Sequence, residues 1–109
     1  MERRNAARMM VDIPAWCLLD GHRHPCRAVD LSATGMLISR SRAFSERDLP
    51  QLGAYEMFLG SRRPIRFRAR TVRCEGPLVA VRFVVMNDAD RLSIAEHADE
   101  LARRRISLH

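Results

Sequence analysis

The sequence has no lysine: all 19 of its basic side chains are arginine, set against 13 carboxylates. Arginine-only motifs are therefore cheap here. Arg-x-x-x-Arg occurs four times, at Arg4/Arg8, Arg23/Arg27, Arg62/Arg66 and Arg66/Arg70, and alone carries no information. Aromatic residues make up only 6% of the chain, with Trp16, Tyr55 and four phenylalanines scattered along it. That poverty counts against a binder of single-stranded nucleic acid, which needs stacking platforms. No apolar run approaches the roughly 20 residues of a membrane span. The charged N-terminal stretch is not followed by the apolar core of a leader peptide. A soluble, cytoplasmic protein is the expectation. Cys17, Cys26 and Cys74 are odd in number and form no Cys-x-x-Cys pair, which fits reduced thiols rather than a disulfide framework. His22, His24 and Cys26 alternate, but Pro25 interrupts them and a fourth ligand is missing, so no metal site is expected. There is no phosphate-cradling glycine loop, no carboxylate pair placed for acid–base work and no nucleophile beside a base. An enzyme is not expected.

What is present is a single domain's worth of chain: 109 residues, 47% of them hydrophobic, enough for one compact core. The net charge of +6 points to an anionic partner. Residues 1–8 are polar and without apolar period, and read as a flexible basic arm. From Val11 the pattern alternates, with Ile13, Ala15, Cys17 and Leu19 on one side and Asp12, Pro14, Trp16 and Leu18 on the other, the period of a strand. Pro14 suggests an edge or a strand start, because proline donates nothing to a ladder. Asp20-Gly21 signals a tight hairpin. Further strands are expected over about His24–Val29, Met36–Arg40, Ala54–Leu59, from Ile65, and over Leu78–Val85, with a bend at Asp30–Gly35, a polar connection over residues 41–52 and a turn at Glu75-Gly76-Pro77. In that bend Gly35 is expected to take a positive φ.

The last segment changes period. Asn87 or Asp88 can cap a helix of about residues 87–105, with Leu92, Ala95, Ala98, Leu101 and Ala102 on its apolar face and Arg103–Arg105 in its final turn. The expected fold is mainly β: a small six-stranded antiparallel barrel over residues 9–109 that carries one C-terminal α-helix.

Two stretches carry chemistry. Arg3-Arg4-Asn5-Ala6-Ala7-Arg8 puts guanidinium forks on the arm, and a fork matches either the O6/N7 edge of guanine or the oxygens of a phosphate. Asp30-Leu31-Ser32-Ala33-Thr34-Gly35 puts a carboxylate on a bend, where it can accept from guanine's N1–H and exocyclic amine. Ser32 adds a polar contact, and Gly35 lets a ligand approach the main chain. The exposed row Arg66, Arg68 and Arg70 reads as a solvated strand face, or else as an extra basic wall for phosphates.

Arg-x-x-x-Arg on an N-terminal arm, followed about 22 residues later by Asp-x-Ser-x-x-Gly between two strands, resembles the PilZ domain family over nearly the whole chain. The resemblance implies a bacterial receptor for cyclic di-GMP, one molecule or, with Arg3 extending the motif, two stacked. Arg4 and Arg8 would grip guanine and phosphate, and Asp30 and Ser32 would read a guanine edge. The arm would order on the ligand and signal to a downstream protein partner. Motility, polysaccharide secretion and surface attachment are typical outputs of the family. Two positions depart from it. Val72-Arg73-Cys74 stands where many members carry a stacking tryptophan, a role Arg73 could take with its guanidinium plane. Ala80 stands where many carry glycine. The competing readings are a small basic nucleic-acid-binding barrel and a PilZ-like protein-interaction module without a ligand.

Overall fold

A computed structural model gives the structure of the protein and describes residues 8–40, 50–60 and 64–107. Arg3 and Arg4, residues 41–49 of the polar connection, and the side chains of Ala102, Arg104 and Arg105 lie outside the described residues. Six strands, β1 (Met9–Leu19), β2 (His22–Leu31), β3 (Gly35–Arg40), β4 (Leu52–Met57), β5 (Ile65–Glu75) and β6 (Leu78–Val85), precede one helix, α1 (Asp88–Ser107). The strands close into a barrel in the order β1-β2-β3-β6-β5-β4, every ladder antiparallel, with β4 returning to β1.

Period-two alternation builds the interior. In β5 Ile65, Phe67 and Ala69 are buried while Arg66, Arg68 and Arg70 are exposed. Tyr55 stacks on Phe67 at 5.6 Å, and Phe67 meets Phe83 edge-on at 5.0 Å, so aromatics from β4, β5 and β6 fill the barrel's middle. The β1–β2 loop is the expected two-residue hairpin, with Asp20 at φ 51° and Gly21 at φ 78°. The barrel closes through β1, but the β1–β4 ladder covers only Ala15–Leu18, so Pro14 is paired with β2 alone and stands at a local edge, as expected. There its carbonyl accepts from Phe58 N at 3.1 Å, just past the end of the β1–β4 ladder.

Three expectations change. First, β2 runs on to Leu31, so Asp30 sits on a strand and only Ser32–Thr34 make the bend. Second, Gly35 does not have a positive φ. It is needed for a close approach: a Cβ built there would lie 2.2 Å from the Val81 carbonyl oxygen, so only a residue without a side chain lets β6 pair at this point. Third, α1 turns a different face inward. Asn87 caps it, accepting from Asp90 N at 2.8 Å, and the short Met86-Asn87 link holds the first turns against the barrel. Ile94 and Asp90 are buried there, His97, Ala98 and Leu101 are half-buried, and Leu92 is 60% exposed.

The Gly35 contact predicts that Gly35→Ala costs about 2–3 kcal/mol in chemical denaturation, as overpacking against main chain does. A loss below about 0.5 kcal/mol would mean that β6 does not come this close. A second outcome concerns alkaline pH. Burial raises the Cys17 thiol and the Tyr55 hydroxyl and pushes the Cys26 thiol up to about 12. These groups keep their protons in the folded chain after the unfolded chain has lost them. Their contribution is complete below the ordinary thiol value of 9.0 and is lost as pH climbs toward 12. Urea unfolding between those limits should show stability falling, by up to about 1.4 kcal/mol per pH unit for each group. A flat profile would show that these groups are hydrated in the folded protein.

Candidate functional site

The last residue of the first motif, Arg8, meets the first residue of the second, Asp30, where the end of β2 lies beside the start of β1. Arg8 Nη1 donates to Asp30 Oδ2 at 3.3 Å across 22 residues of sequence. Arg8 is 64% exposed and Asp30 16%. The other Asp30 oxygen, Oδ1, is buried and has no hydrogen-bond partner among the described residues. Half of this carboxylate is thus desolvated and unanswered, a state that costs free energy until a donor arrives.

Asp30 reaches this face because β2 carries a bulge. Ala28 pairs with Ile38 and Asp30 with Leu37, leaving Val29 without a partner on β3. Strict alternation from buried Ala28 would send Asp30 inward. The extra residue turns Leu31 into the core instead and Asp30 outward. The same device acts in β5. Thr71 pairs with Val81 and Arg73 with Ala80, so Val72 is the extra residue, Cys74 packs toward the core and Arg73 faces out.

Beside Arg73 lies a cavity of about 150 Å³, lined by Arg8, Thr34, Gly35, Met36, Val72, Arg73, Ala80, Val81 and Arg82; Asp30 adjoins it through its partner Arg8. Its floor is cut low because Gly35 has no side chain and Ala80 only a methyl group. Its walls are guanidinium groups from three elements. Arg8 meets Asp30, and Arg73 Nε donates to Glu75 at 3.0 Å. Arg82 has no ion-pair or hydrogen-bond partner among the described residues.

Ser32 serves the bend. It is 3% exposed, its backbone N donates to Gly35 O at 2.9 Å, and its hydroxyl lies 3.3 Å from Gly35 O, Thr34 N and Thr34 Oγ1. Thr34 O in turn accepts from Phe83 N at 2.9 Å, tying the bend to β6. The serine therefore fixes the loop that connects Asp30 to Gly35.

Arg66 is not part of this gathering. Its Nε donates to Glu56 at 2.8 Å, Arg23 reaches the same carboxylate at 3.1 Å, and Arg66 lines a separate open groove of about 390 Å³. Trp16 belongs to that other side, with Arg23 stacked over its ring at 4.5 Å and Phe58 edge-on at 5.0 Å. Arg3 and Arg4 lie outside the described residues. The sequence reading gave Thr34, Val72 and Arg82 no role at the site. For Arg82 a signal existed: between Val81 and Phe83 it had to point outward on the strand that follows Arg73. For Val72 only the register of folded strands shows the bulge. Among the described residues no group of histidine, cysteine or carboxylate side chains is arranged to hold a metal ion, and no helix is long and apolar enough to cross a membrane.

The PilZ domain family model matches residues 2–100. Among solved structures the chain is similar to the Bacillus subtilis inhibitor of motility, MotI/DgrA, at 14% identity and a TM-score of 0.78, over 98% of this chain and 53% of that one. The chain thus spans about half the length of that relative. It is similar to the PilZ domain of YcgR from Escherichia coli, a structure with c-di-GMP, at 18% identity and a TM-score of 0.73, over 97% of this chain and 98% of that one. The PilZ domain of CeSA from a cellulose-synthesizing bacterium follows at 15% identity and a TM-score of 0.64, over 88% of this chain and 98% of that one. At these identities the likeness is one of fold. No curated protein matches the sequence.

The Arg8–Asp30 pair is long and solvent-facing on the arginine side, so it holds little of the fold together. Arg8→Ala should change unfolding stability by less than about 0.5 kcal/mol, as surface substitutions do. A loss above about 1.5 kcal/mol would make Arg8 a structural residue.

Proposed function

Since the chain belongs to the PilZ domain family, we propose that it is a receptor for cyclic di-GMP, a binding switch that makes and breaks no covalent bond. The observation that carries this reading is the Asp30 carboxylate, half buried in need of donors, beside a cavity walled by guanidinium groups. An ordinary anion site would exclude a carboxylate, since it repels the ligand. A guanine supplies both requirements, with N1–H and the exocyclic amine donating to Asp30 and O6/N7 accepting from an arginine fork. The phosphodiesters of the same ligand answer the remaining guanidinium groups.

In the free protein Arg8 occupies Asp30. The ligand replaces that contact: guanine takes the carboxylate, and Arg8 turns onto the ring edge or a phosphate. Arg3 and Arg4, on the arm of residues 1–8, close over the nucleotide from outside. The cavity of about 150 Å³ is smaller than the roughly 300–1,000 Å³ of ordinary small-molecule sites, so it acts as the floor of a site that the arm completes. Arg73 stacks its guanidinium plane on a base in place of the family's tryptophan. The surface so formed, part nucleotide and part arm, is what a partner protein reads. The likeness in fold to an inhibitor of motility favours motility as the controlled process.

Calorimetry with cyclic di-GMP, cyclic di-AMP and a mixed-sequence oligonucleotide tests the reading. Wild type should bind the first in the low-micromolar range or tighter and the others far more weakly. Arg8→Ala and Asp30→Ala should each cost about 1–3 kcal/mol. Asp30→Ala should spare whatever weak binding cyclic di-AMP shows, because that ligand has the phosphates but lacks the guanine edge. Stronger cyclic di-GMP binding by Asp30→Ala, or equal affinity for any oligonucleotide with steep loss in salt, would sink the proposal. Saturation at one nucleotide per chain would count against a stacked pair.

A further inference from the structure

One row of paired residues crosses the outer wall of the barrel: Leu52 on β4, Arg70 on β5, Arg82 on β6 and Gly35 on β3. Arg70 and Arg82 are direct cross-strand partners, and both are exposed. Side chains so paired start from Cβ atoms roughly 4.5–5.5 Å apart, and like charges placed there destabilise the ladder. Neither arginine has an ion-pair or hydrogen-bond partner among the described residues. Three other arginines of the wall are answered, Arg8 by Asp30, Arg66 by Glu56 and Arg73 by Glu75. On its other side Arg82 faces Gly35, which has no side chain to cover it, and it lines the same cavity as Arg8 and Arg73.

We propose that Arg82 and Arg70 form a phosphate subsite of the cradle, taking a phosphodiester of the ligand whose guanine meets Asp30; the identity of that ligand rests on the cyclic di-GMP reading. Two planar forks on adjacent strands flank a single phosphate from both sides, each matching a pair of its oxygens. The repulsion that the free protein carries becomes attraction once an anion lies between them. This is a property of position: Arg66 and Arg68, on the same strand face, line a separate groove, whereas Arg70 is the cross-strand partner of Arg82, which lines the cavity.

The subsite makes two measurements move in opposite directions. In ligand-free protein Arg82→Gln and Arg70→Gln should each raise Tm, by about 1–5 °C, since each removes one member of a like-charge pair. Against cyclic di-GMP the same variants should bind at least fivefold more weakly, with a shallower dependence on salt. A merely structural arginine would show no such opposition, because its loss would lower Tm. Wild-type affinity in Arg82→Gln, while Asp30→Ala still weakens binding, overturns the subsite and leaves the receptor reading standing. If wild type does not bind cyclic di-GMP at all, inorganic pyrophosphate decides. A rise in wild-type Tm with pyrophosphate that Arg82→Gln abolishes supports the subsite, and no rise in wild type overturns it.

Discussion

A strand alternates between faces, and a barrel this small has one face of core and one of water, so a single extra residue decides which side everything after it occupies. In this molecule Val29 and Val72 are the two extra residues that matter most. Each lies one position before a charged side chain and converts a position that would point into the core into one that points out. Without the first, Asp30 would follow Ala28 into the apolar interior in the place that Leu31 now fills, where an unpaired carboxylate is untenable. Without the second, Arg73 would take the place of Cys74 against the core. Because β2 and β5 are both diverted near the ends of their runs, the two charges come to the same side of the wall. The cavity beside Arg73, with its low floor of Gly35 and Ala80, follows from that geometry.

Charge is then handled in two ways on one wall. Around Glu56 it is balanced: the carboxylate is 9% exposed and is gripped by Arg66 and Arg23, and Arg23 also covers Trp16. A buried carboxylate held by two guanidinium groups is a closed unit with nothing left to offer a ligand. Around the cavity the balance is left open. Among the described residues Asp30 has one oxygen without a donor and Arg82 has no acid, and Arg70 stands directly opposite Arg82. An unanswered carboxylate oxygen and two opposed arginines cost stability, and under the proposed reading a ligand that brings both donors and negative charge answers them. The contrast separates Arg66 from Arg70, its neighbour on the same strand face: the first is held by an acid and the second faces another arginine.

Much of the architecture is legible in the sequence because it depends on local rules. Ile65-Arg66-Phe67-Arg68-Ala69-Arg70 announces a half-buried strand, Asp20-Gly21 the tight turn from β1 to β2, and Asn87 or Asp88 a helix cap; strand and turn stand in the structure, and Asn87 is the cap. The motif around Asp30 was legible as chemistry but not as geometry. A run of Val-Asp-Leu-Ser does not reveal a bulge, since the bulge is a mismatch in count between two strands and appears only when β2 lies against β3. For the same reason Gly35 invites the wrong explanation. Turn chemistry suggests a positive φ, whereas the constraint comes from the Val81 carbonyl, 46 residues away in the chain. The helix face shows the same limit: Leu92 carries more apolar surface than Ala98, yet the link from β6 orients the first turn around Ile94.

The bend between Asp30 and Gly35 joins these lines. Ser32 spends its hydroxyl and its N–H within the loop, and Thr34 hands its carbonyl to Phe83 on β6, so the loop is pinned both to itself and to the strand that carries Arg82. The acid that would read a base and the arginine that would hold a phosphate are thereby fixed to one rigid unit, β2-bend-β3 laced to β6. Under the proposed reading such a unit loses little conformational freedom when a ligand binds, so the wall that carries Asp30 is in place before the ligand arrives. The choice of base then rests on a carboxylate whose position the fold has already set.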